Sequence, residues 1–335
     1  MPPAGVTPSV AVVIPHWNKR ELLGTLLKRL REQTHPTNDV VVVDNGSVDG
    51  SADYAAEHGA RVLRLETNVG FARAVNAGIA QVHSDYVAVL NNDVVPGPEW
   101  LKRLVEVLES GGPETWFACG KLQVHDGTVL DGTFDLVSRG CCGWRAGEGR
   151  PDGPVWNQQR RIRSAPFTAA LFRRELFDRV GLLEEGFESY LEDVEFGLRC
   201  AVKGYSGVYV PAAVATHLGS ATLGRWHPAT VRQISRNQLL LAAMYHSNFR
   251  FRRTLWPLLV GQGLWGLLAL RHGTGAAWLS GKWEGLRAFG QWRKKFSIET
   301  CDSEYVFGND EAAIRELQEQ TGYDTYWRFY FALTR

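Results

Sequence analysis

Four short polar stretches in the first half of the chain each follow an apolar run. They are Pro15-His16-Trp17-Asn18, Asp44-Asn45-Gly46-Ser47, Asn68-Val69-Gly70-Phe71 and Asn91-Asn92-Asp93. Amides, a strand-end carboxylate and a helix start with unused N–H groups are the groups that hold a polar, phosphate-bearing ligand. An acid pair, Glu192-Asp193, opens a predicted helix, where the macrodipole favours its charge and a carboxylate can take a proton. Each feature alone is also an ordinary turn or a pair of N-terminal helix acids. Their weight comes from converging on one edge of a sheet. No G-x-G-x-x-G follows the first apolar run and no G-x-x-x-x-G-K-[ST] occurs, so a dinucleotide dehydrogenase and a P-loop NTPase lack their main signatures.

The elements that must position these loops alternate. Val10–Ile14 and Val40–Val43 are short apolar runs of the kind that form buried parallel strands. Asn18, three residues before Glu21, heads a variant capping box ahead of a leucine-rich helix face. A helix over Ala52–Glu57, a strand at Arg61–Leu65, a helix over Ala72–Val82 and a strand at Tyr86–Leu90 continue the rhythm. This order predicts an α/β fold, a mostly parallel sheet with helices on both faces, and ligands then bind beyond the carboxyl ends of its strands. Residues 121–165 are Gly-rich and polar and read as hairpins or long loops. Helices at Arg174–Val180 and Glu192–Val202 and strands at Gly207–Val210 and Val214–His217 follow.

Composition narrows the function classes. With 335 residues, 22% charged and 44% hydrophobic, the chain can bury a sizeable core. Its 37 Lys and Arg against 36 Asp and Glu give a net charge of +1, which argues against a nucleic-acid partner. The five cysteines are odd in number and form no C-x-x-C pair, as expected of reduced thiols in a cytoplasmic chain. Met1–Ser9 carries no export signal.

Five stretches together resemble the family 2 inverting glycosyltransferases of GT-A fold, in their rhamnosyltransferase-like branch. They are Val12–Pro15 through Asn18, Val43–Ser47 with Asp49, Asn68–Ala72 with Asn76, Leu90–Asp93, and Tyr190–Val194 with Leu198-Arg199, in the family's order across residues 10–245. The resemblance implies a sugar transferred from a nucleotide-diphosphate donor (dTDP- or UDP-linked) to a hydroxyl of a glycan or lipid-linked acceptor. It implies Mn²⁺ or Mg²⁺ held by Asp93 and His217, the latter followed by Gly219-Ser220; a lone strand-end histidine is otherwise a structural residue. The family's D-x-D stands here as Asn91-Asn92-Asp93, which leaves one carboxylate in the motif. The base is assigned to Asp193 beside Glu192, with Glu195 as the alternative. Asp44 is the expected acceptor for a pyrimidine N3–H, which uracil and thymine both offer. Pro15 and Asn18 would shape the base pocket, with Asn68, Gly70, Phe71, Asn76, Asn91 and Asn92 along the nucleotide sugar; Asn76 also reads as a helix-surface residue. The donor favoured by the branch is dTDP-rhamnose. A UDP-dependent galactofuranosyl- or hexosyltransferase and a non-catalytic nucleotide-binding scaffold subunit are the alternatives.

A catalytic domain over residues 1–248 and a C-terminal helical module over 249–335 are expected. Between Phe249 and Thr300 nine Lys and Arg face two acids, and five of the 12 Trp lie there. Thr254–Leu270 is 17 residues long. As a helix that is about 26 Å, short of a ~30 Å hydrocarbon core. Trp278, Trp283 and Trp292 alternate with Arg287, Arg293, Lys294 and Lys295, as on an interfacial helix resting on the inner face of the cell membrane. The other reading is a packing surface against the catalytic domain or a second subunit in a homo-oligomer.

Overall fold

The computed structural model describes residues 7–124, 127–218, 226–246, 251–296 and 300–335, with the side chains of 251 and 300–303 outside the description. Gly219-Ser220 and the thiol of Cys301 therefore lie outside the described residues. By contacts the chain divides into two units, Met1–Phe134 with Gly147–Gly219, and Asp135–Ala146 with Ser220–Arg335.

The first unit is built on β1 (Val10–His16), α1 (Arg20–Arg31), β2 (Asp39–Asp44), α2 (Ser51–Glu57), β3 (Arg61–Arg64), α3 (Phe71–Ile79) and β4 (Tyr86–Leu90). Strands β3, β2, β1 and β4 lie side by side and parallel. The chain therefore steps outward from β1 through β2 to β3, then returns to the other side of β1. That reversal is the switch point where an α/β sheet opens a crevice for ligands. The next elements are β5 (Val94–Pro96), α4 (Trp100–Ser110), β6 (Thr115–Val124) and β7 (Leu130–Gly132). Two strands of the second unit intervene, β8 (Asp135–Val137) and β9 (Gly143–Arg145), which pair with each other. The first unit closes with β10 (Arg160–Ile162), β11 (Ala169–Arg173), α5 (Arg174–Val180), α6 (Glu192–Val202) and β12 (Ser206–His217). Strand β11 runs antiparallel between β4 and β6, and β6 pairs parallel with β12. The result is a mixed sheet where the sequence predicts a mostly parallel one, because β5, β7, β10 and β11 each pair antiparallel.

Both faces of this sheet are covered, and alternation along the strands says by what. Val12 and Ile14 of β1 join a buried cluster with Leu23, Leu26 and Leu30 of α1 and Trp100, Leu101 and Leu104 of α4. Val13 of β1 and Val43 of β2 point the other way, onto α3. A Cβ on Gly78 would sit 2.3 Å from Val13 Cγ1, so glycine is what allows α3 this close. On the same side the ring of Phe172 of β11 packs tilted against Phe177 of α5 and edge-on against Phe196 of α6.

Several local readings change. The helix start at Asn18 is not a capping box, because Lys19 is the N-cap and Asn18 Oδ1 accepts from Val48 N instead. The two strands expected at Gly207–Val210 and Val214–His217 are one, β12, with a register break between Val210 and Val214.

The second unit is helical, with α7 (Pro228–Tyr245), α8 (Trp256–Arg271), α9 (Gly275–Lys295), α10 (Thr300–Thr321) and α11 (Thr325–Leu333). Its core includes Cys141 and Cys142 from the β8–β9 turn, Leu240 and Leu241 of α7 and Tyr330 and Phe331 of α11. Among the described residues no helix is long and apolar enough to cross a membrane.

Candidate functional site

The carboxyl ends of β1, β2 and β4 carry the polar loops, and side-chain hydrogen bonds stitch them together. Asn18 N donates to Ser47 Oγ at 2.8 Å while Asn18 Oδ1 accepts from Val48 N at 3.1 Å. Asn18 and Lys19 are held in the left-handed region, φ 56° and 66°, a strained turn of the kind that clusters at functional sites. Asn92 Nδ2 donates to His16 Nδ1 at 2.8 Å, joining the β4 end to the β1 end. This bond fixes the proton on His16 Nε2, which is buried and has no hydrogen-bond partner. Burial lowers the His16 pKa to about 4, against the pull of Asp44 and Asp49, so the ring is neutral. Asn91 Oδ1 is likewise buried without a hydrogen bond. Buried polar atoms are normally satisfied. Two such atoms on the two strand ends beside the switch point leave polar capacity unused there.

Asp44, 4% exposed, ends β2 and accepts from Ser47 N at 3.1 Å. Its neighbour Asn45, absent from the expected set, ties two loops together. Asn45 Nδ2 donates to Asn68 Oδ1 (3.0 Å) and Gly70 O (3.3 Å), and Asn45 Oδ1 accepts from Val69 N (2.8 Å). Gly70 has φ 89°, which only glycine adopts without strain. The N-terminus of α3 is not open to a phosphate as expected. Ala72 N donates to Glu188 O at 2.9 Å and Phe71 N to Ser189 Oγ at 3.4 Å. Asn76 is also engaged: its amide exchanges two hydrogen bonds with the Leu183 backbone, at 2.9 and 3.0 Å. Phe71 and Asn76 thus brace the segment that leads into α6, and Pro15 lies in β1 opposite Val43.

That segment is itself strained. Glu188, Tyr190 and Leu191 all have positive φ, 62–69°, immediately before Glu192 and Asp193. Glu192 is buried and Asp193 half-buried, with Asp193 Oδ1 accepting from Val194 N at 2.8 Å. Glu195 is fully buried and forked to Arg199, Nε to Oε1 at 3.0 Å and Nη2 to Oε2 at 2.7 Å. A carboxylate so committed is a structural ion pair.

Asp93 and His217, 124 positions apart in sequence, meet because β5 pairs antiparallel with the end of β12, with Val94 opposite His217. His217 Nε2 lies 3.2 Å from Asp93 Oδ1, and His217 Nδ1 lies 3.0 Å from Asp131 Oδ2. Burial works against charge on this ring, but the hydrogen bonds to Asp131 and Asp93 outweigh it and raise the pKa to about 9. Two ligand atoms at right angles on a Mg²⁺-sized cation are separated by about 3 Å. The Asp93–His217 spacing fits that, and a carboxylate on the far ring nitrogen is the usual support of a metal-binding imidazole. Among the described residues no group of three or more His, Cys, Asp and Glu completes such a set, so a cation here would need oxygens from its substrate and water. Asp131 was illegible beforehand, because only the pairing of β7 with β6 brings it to this edge. Trp17, 41% exposed between Pro15 and Asn18, is a further residue the expected set lacked. Its signal was an exposed aromatic within a polar loop.

The model of the glycosyl transferase family 2 matches residues 11–181, just over half of the chain. The chain belongs to that family. It is an enzyme of the glycosyltransferase class, with the GT-A fold and a C-terminal helical region. This glycosyltransferase is 29% identical over 280 residues to the N-acetylglucosaminyl-diphospho-decaprenol L-rhamnosyltransferase of Mycobacterium tuberculosis, covering 76% of this chain and 89% of that one. It is 30% identical over 231 residues to the O-antigen biosynthesis protein RfbC of Myxococcus xanthus, covering 66% of this chain and 18% of that one. Its fold is similar to that of GalNAc-T7 solved with UDP, GalNAc and Mn²⁺, with TM-score 0.66, 13% identity, and 95% of this chain and 59% of that chain covered. It is also similar to the mannosyltransferase PcManGT of Pyrobaculum calidifontis solved with GDP-Man and Mn²⁺, with TM-score 0.52, 16% identity, and 98% and 88% covered.

Proposed function

We propose that this glycosyltransferase moves rhamnose from dTDP-rhamnose to a hydroxyl of a lipid-linked glycan in cell-envelope synthesis, with inversion at the anomeric carbon. The observation that carries the site is the pair of unbonded buried atoms of His16 and Asn91 at the sheet's switch point, next to the Asp93–His217 pair. The similarity to a rhamnosyltransferase along 89% of that enzyme supports the sugar and the lipid-linked acceptor. The buried thiols of Cys141, Cys142 and Cys200 support a reducing, cytoplasmic setting.

Asp44 accepts the pyrimidine N3–H, with Pro15 and Asn18 shaping the pocket and Trp17 offering its ring to the base. Asn68, Gly70, Asn91 and Asn92 line the nucleotide sugar, and Phe71 and Asn76 act through the segment they brace. Asp93 and His217 are the residues that fit Mn²⁺ or Mg²⁺, whose Lewis acidity would stabilise charge on the diphosphate. The acceptor oxygen bonds to the anomeric carbon as that carbon's bond to the diphosphate breaks. The hydroxyl proton passes to Asp193, and the nucleoside diphosphate leaves. Glu192, buried beside it, keeps the start of α6 acidic and favours a proton moving toward Asp193. Asp131 holds the His217 ring in place.

The test is release of nucleoside diphosphate from dTDP-rhamnose, UDP-glucose and UDP-galactofuranose in the presence of a polyprenyl-diphosphate sugar acceptor. Preferential release of dTDP is expected. Preference for a UDP sugar would overturn the donor and point to a hexosyl- or galactofuranosyltransferase.

A further inference from the structure

Helix α8 has no polar side. Between Trp256 and Leu270 its one polar side chain is Gln262. That residue is buried, donating to Gly140 O at 2.6 Å and accepting from Lys282. Its outward stripe is Trp256, Leu259, Gly263, Leu267 and Leu270, with the three leucines 53–62% exposed. A helix apolar all round belongs in a core or in lipid, and this one keeps a full stripe outside. Helix α9 follows after three residues and packs beside it, Gly266 lying against the Trp278 ring. Its outward face is divided lengthwise. Leu279, Trp283 and Leu286, 58–60% exposed, follow one edge, while Arg287, Lys294 and Lys295 follow the adjacent one. Arg287 lies over the Trp283 ring at 5.4 Å. Arg252 and Arg253 stand exposed before α8 and Arg271 at its end.

We propose that α8 and α9 form a docking surface for anionic lipid, with the leucines and tryptophans entering the acyl boundary and the Arg and Lys side chains meeting the phosphates. From 251 to 296 eight Lys and Arg face a single acid, Glu284, which is already paired with Arg232 of α7 at 2.8 Å. A second copy of the chain would bring these cations against themselves, whereas an anionic bilayer complements them. The 16 residues of α8 reach about 24 Å, so the pair lies in the interface and does not span it. The surface stands independently of the donor and acceptor, and its test needs no turnover.

The full chain is floated with vesicles of phosphatidylglycerol in phosphatidylcholine, and with phosphatidylcholine alone, at low and high salt. Binding to the anionic vesicles, released by salt, is expected. The exposed triple variant Leu279→Gln/Trp283→Gln/Leu286→Gln should lose at least about tenfold in partitioning. Each of Arg287→Ser, Lys294→Ser and Lys295→Ser should lower it about fivefold. Circular dichroism and melting, unchanged in these variants, establish that the fold is intact. Absence of binding at low salt, equal binding to neutral vesicles, or undiminished binding by the apolar variant overturns the proposal. So does a concentration-dependent dimer that the apolar variant dissociates while vesicles leave the chain unbound.

Discussion

Two polar clusters, one in each unit, treat their buried groups in opposite ways. In the second unit Lys282 Nζ meets Ser235 O at 2.8 Å, Gln238 Oε1 at 2.9 Å and Gln262 Oε1. Glu311 there takes both Arg139 and the Tyr330 hydroxyl, the latter at 2.9 Å. These groups satisfy one another, and such a network specifies a core. In the first unit the loops at the switch point bond to each other, yet His16 and Asn91 each keep a buried atom without a hydrogen bond. The closed network is architecture, and the open one at a strand edge is the proposed binding site.

The sharpest way to break this contrast lies inside one helix. Asp193→Asn should lower turnover at least ~10²-fold with little change in melting, because a general base contributes roughly 10²–10⁴. Two residues on, Glu195→Gln should do the reverse. It leaves Arg199 without its forked partner and should cost about 3–5 kcal/mol in a denaturant titration. Equal effects of the two on both readouts would erase the distinction between open and closed carboxylates. Asp131→Asn should weaken Mn²⁺ binding about 10–100-fold, read by electron paramagnetic resonance, because the ring of His217 loses its support.

For the closed network the check is pH. Burial lowers the Lys282 pKa from 10.5 to about 7. Between those values the unfolded chain carries the extra proton, so raising the pH removes that proton and stabilises the fold. Below about 7 both states are protonated and the contribution is flat. The rise should approach about 1.4 kcal/mol per pH unit at most. Lys282→Met should flatten it, as read from denaturant midpoints across the alkaline range. A slope unchanged in the variant would mean that the lysine is not the group responsible.

Much of this was legible in the sequence. The apolar runs before Pro15, Asp44 and Asn91 are buried strands because both faces of a parallel sheet are covered, and continuous Val, Ile and Leu announce that. Gly181 and Gly204, at φ 93° and 82°, stop α5 and α6 where expected. What local pattern could not convey was pairing between distant strands. The bond between Asp131 and His217 depends on β7 joining β6 and β6 joining β12, and nothing near Asp131 encodes it. The use of α3's first N–H groups by Glu188 and Ser189 was hidden for the same reason, since the acceptors lie more than a hundred residues on. Residues 135–146 give no sign in their composition that they pack with the C-terminal helices.

The central claim, that the open polar edge takes a nucleoside diphosphate together with a cation, is tested most directly by the melting of wild type and Asp93→Ala with dTDP, in Mn²⁺ and in EDTA. A ligand at a hundred times its dissociation constant adds about 2.7 kcal/mol of stability. Wild type should gain such an increment with Mn²⁺, lose it with EDTA, and the Asp93→Ala variant should gain little in either. An equal gain by both proteins, or none from well-folded wild type with any pyrimidine nucleoside diphosphate, would contradict the claim.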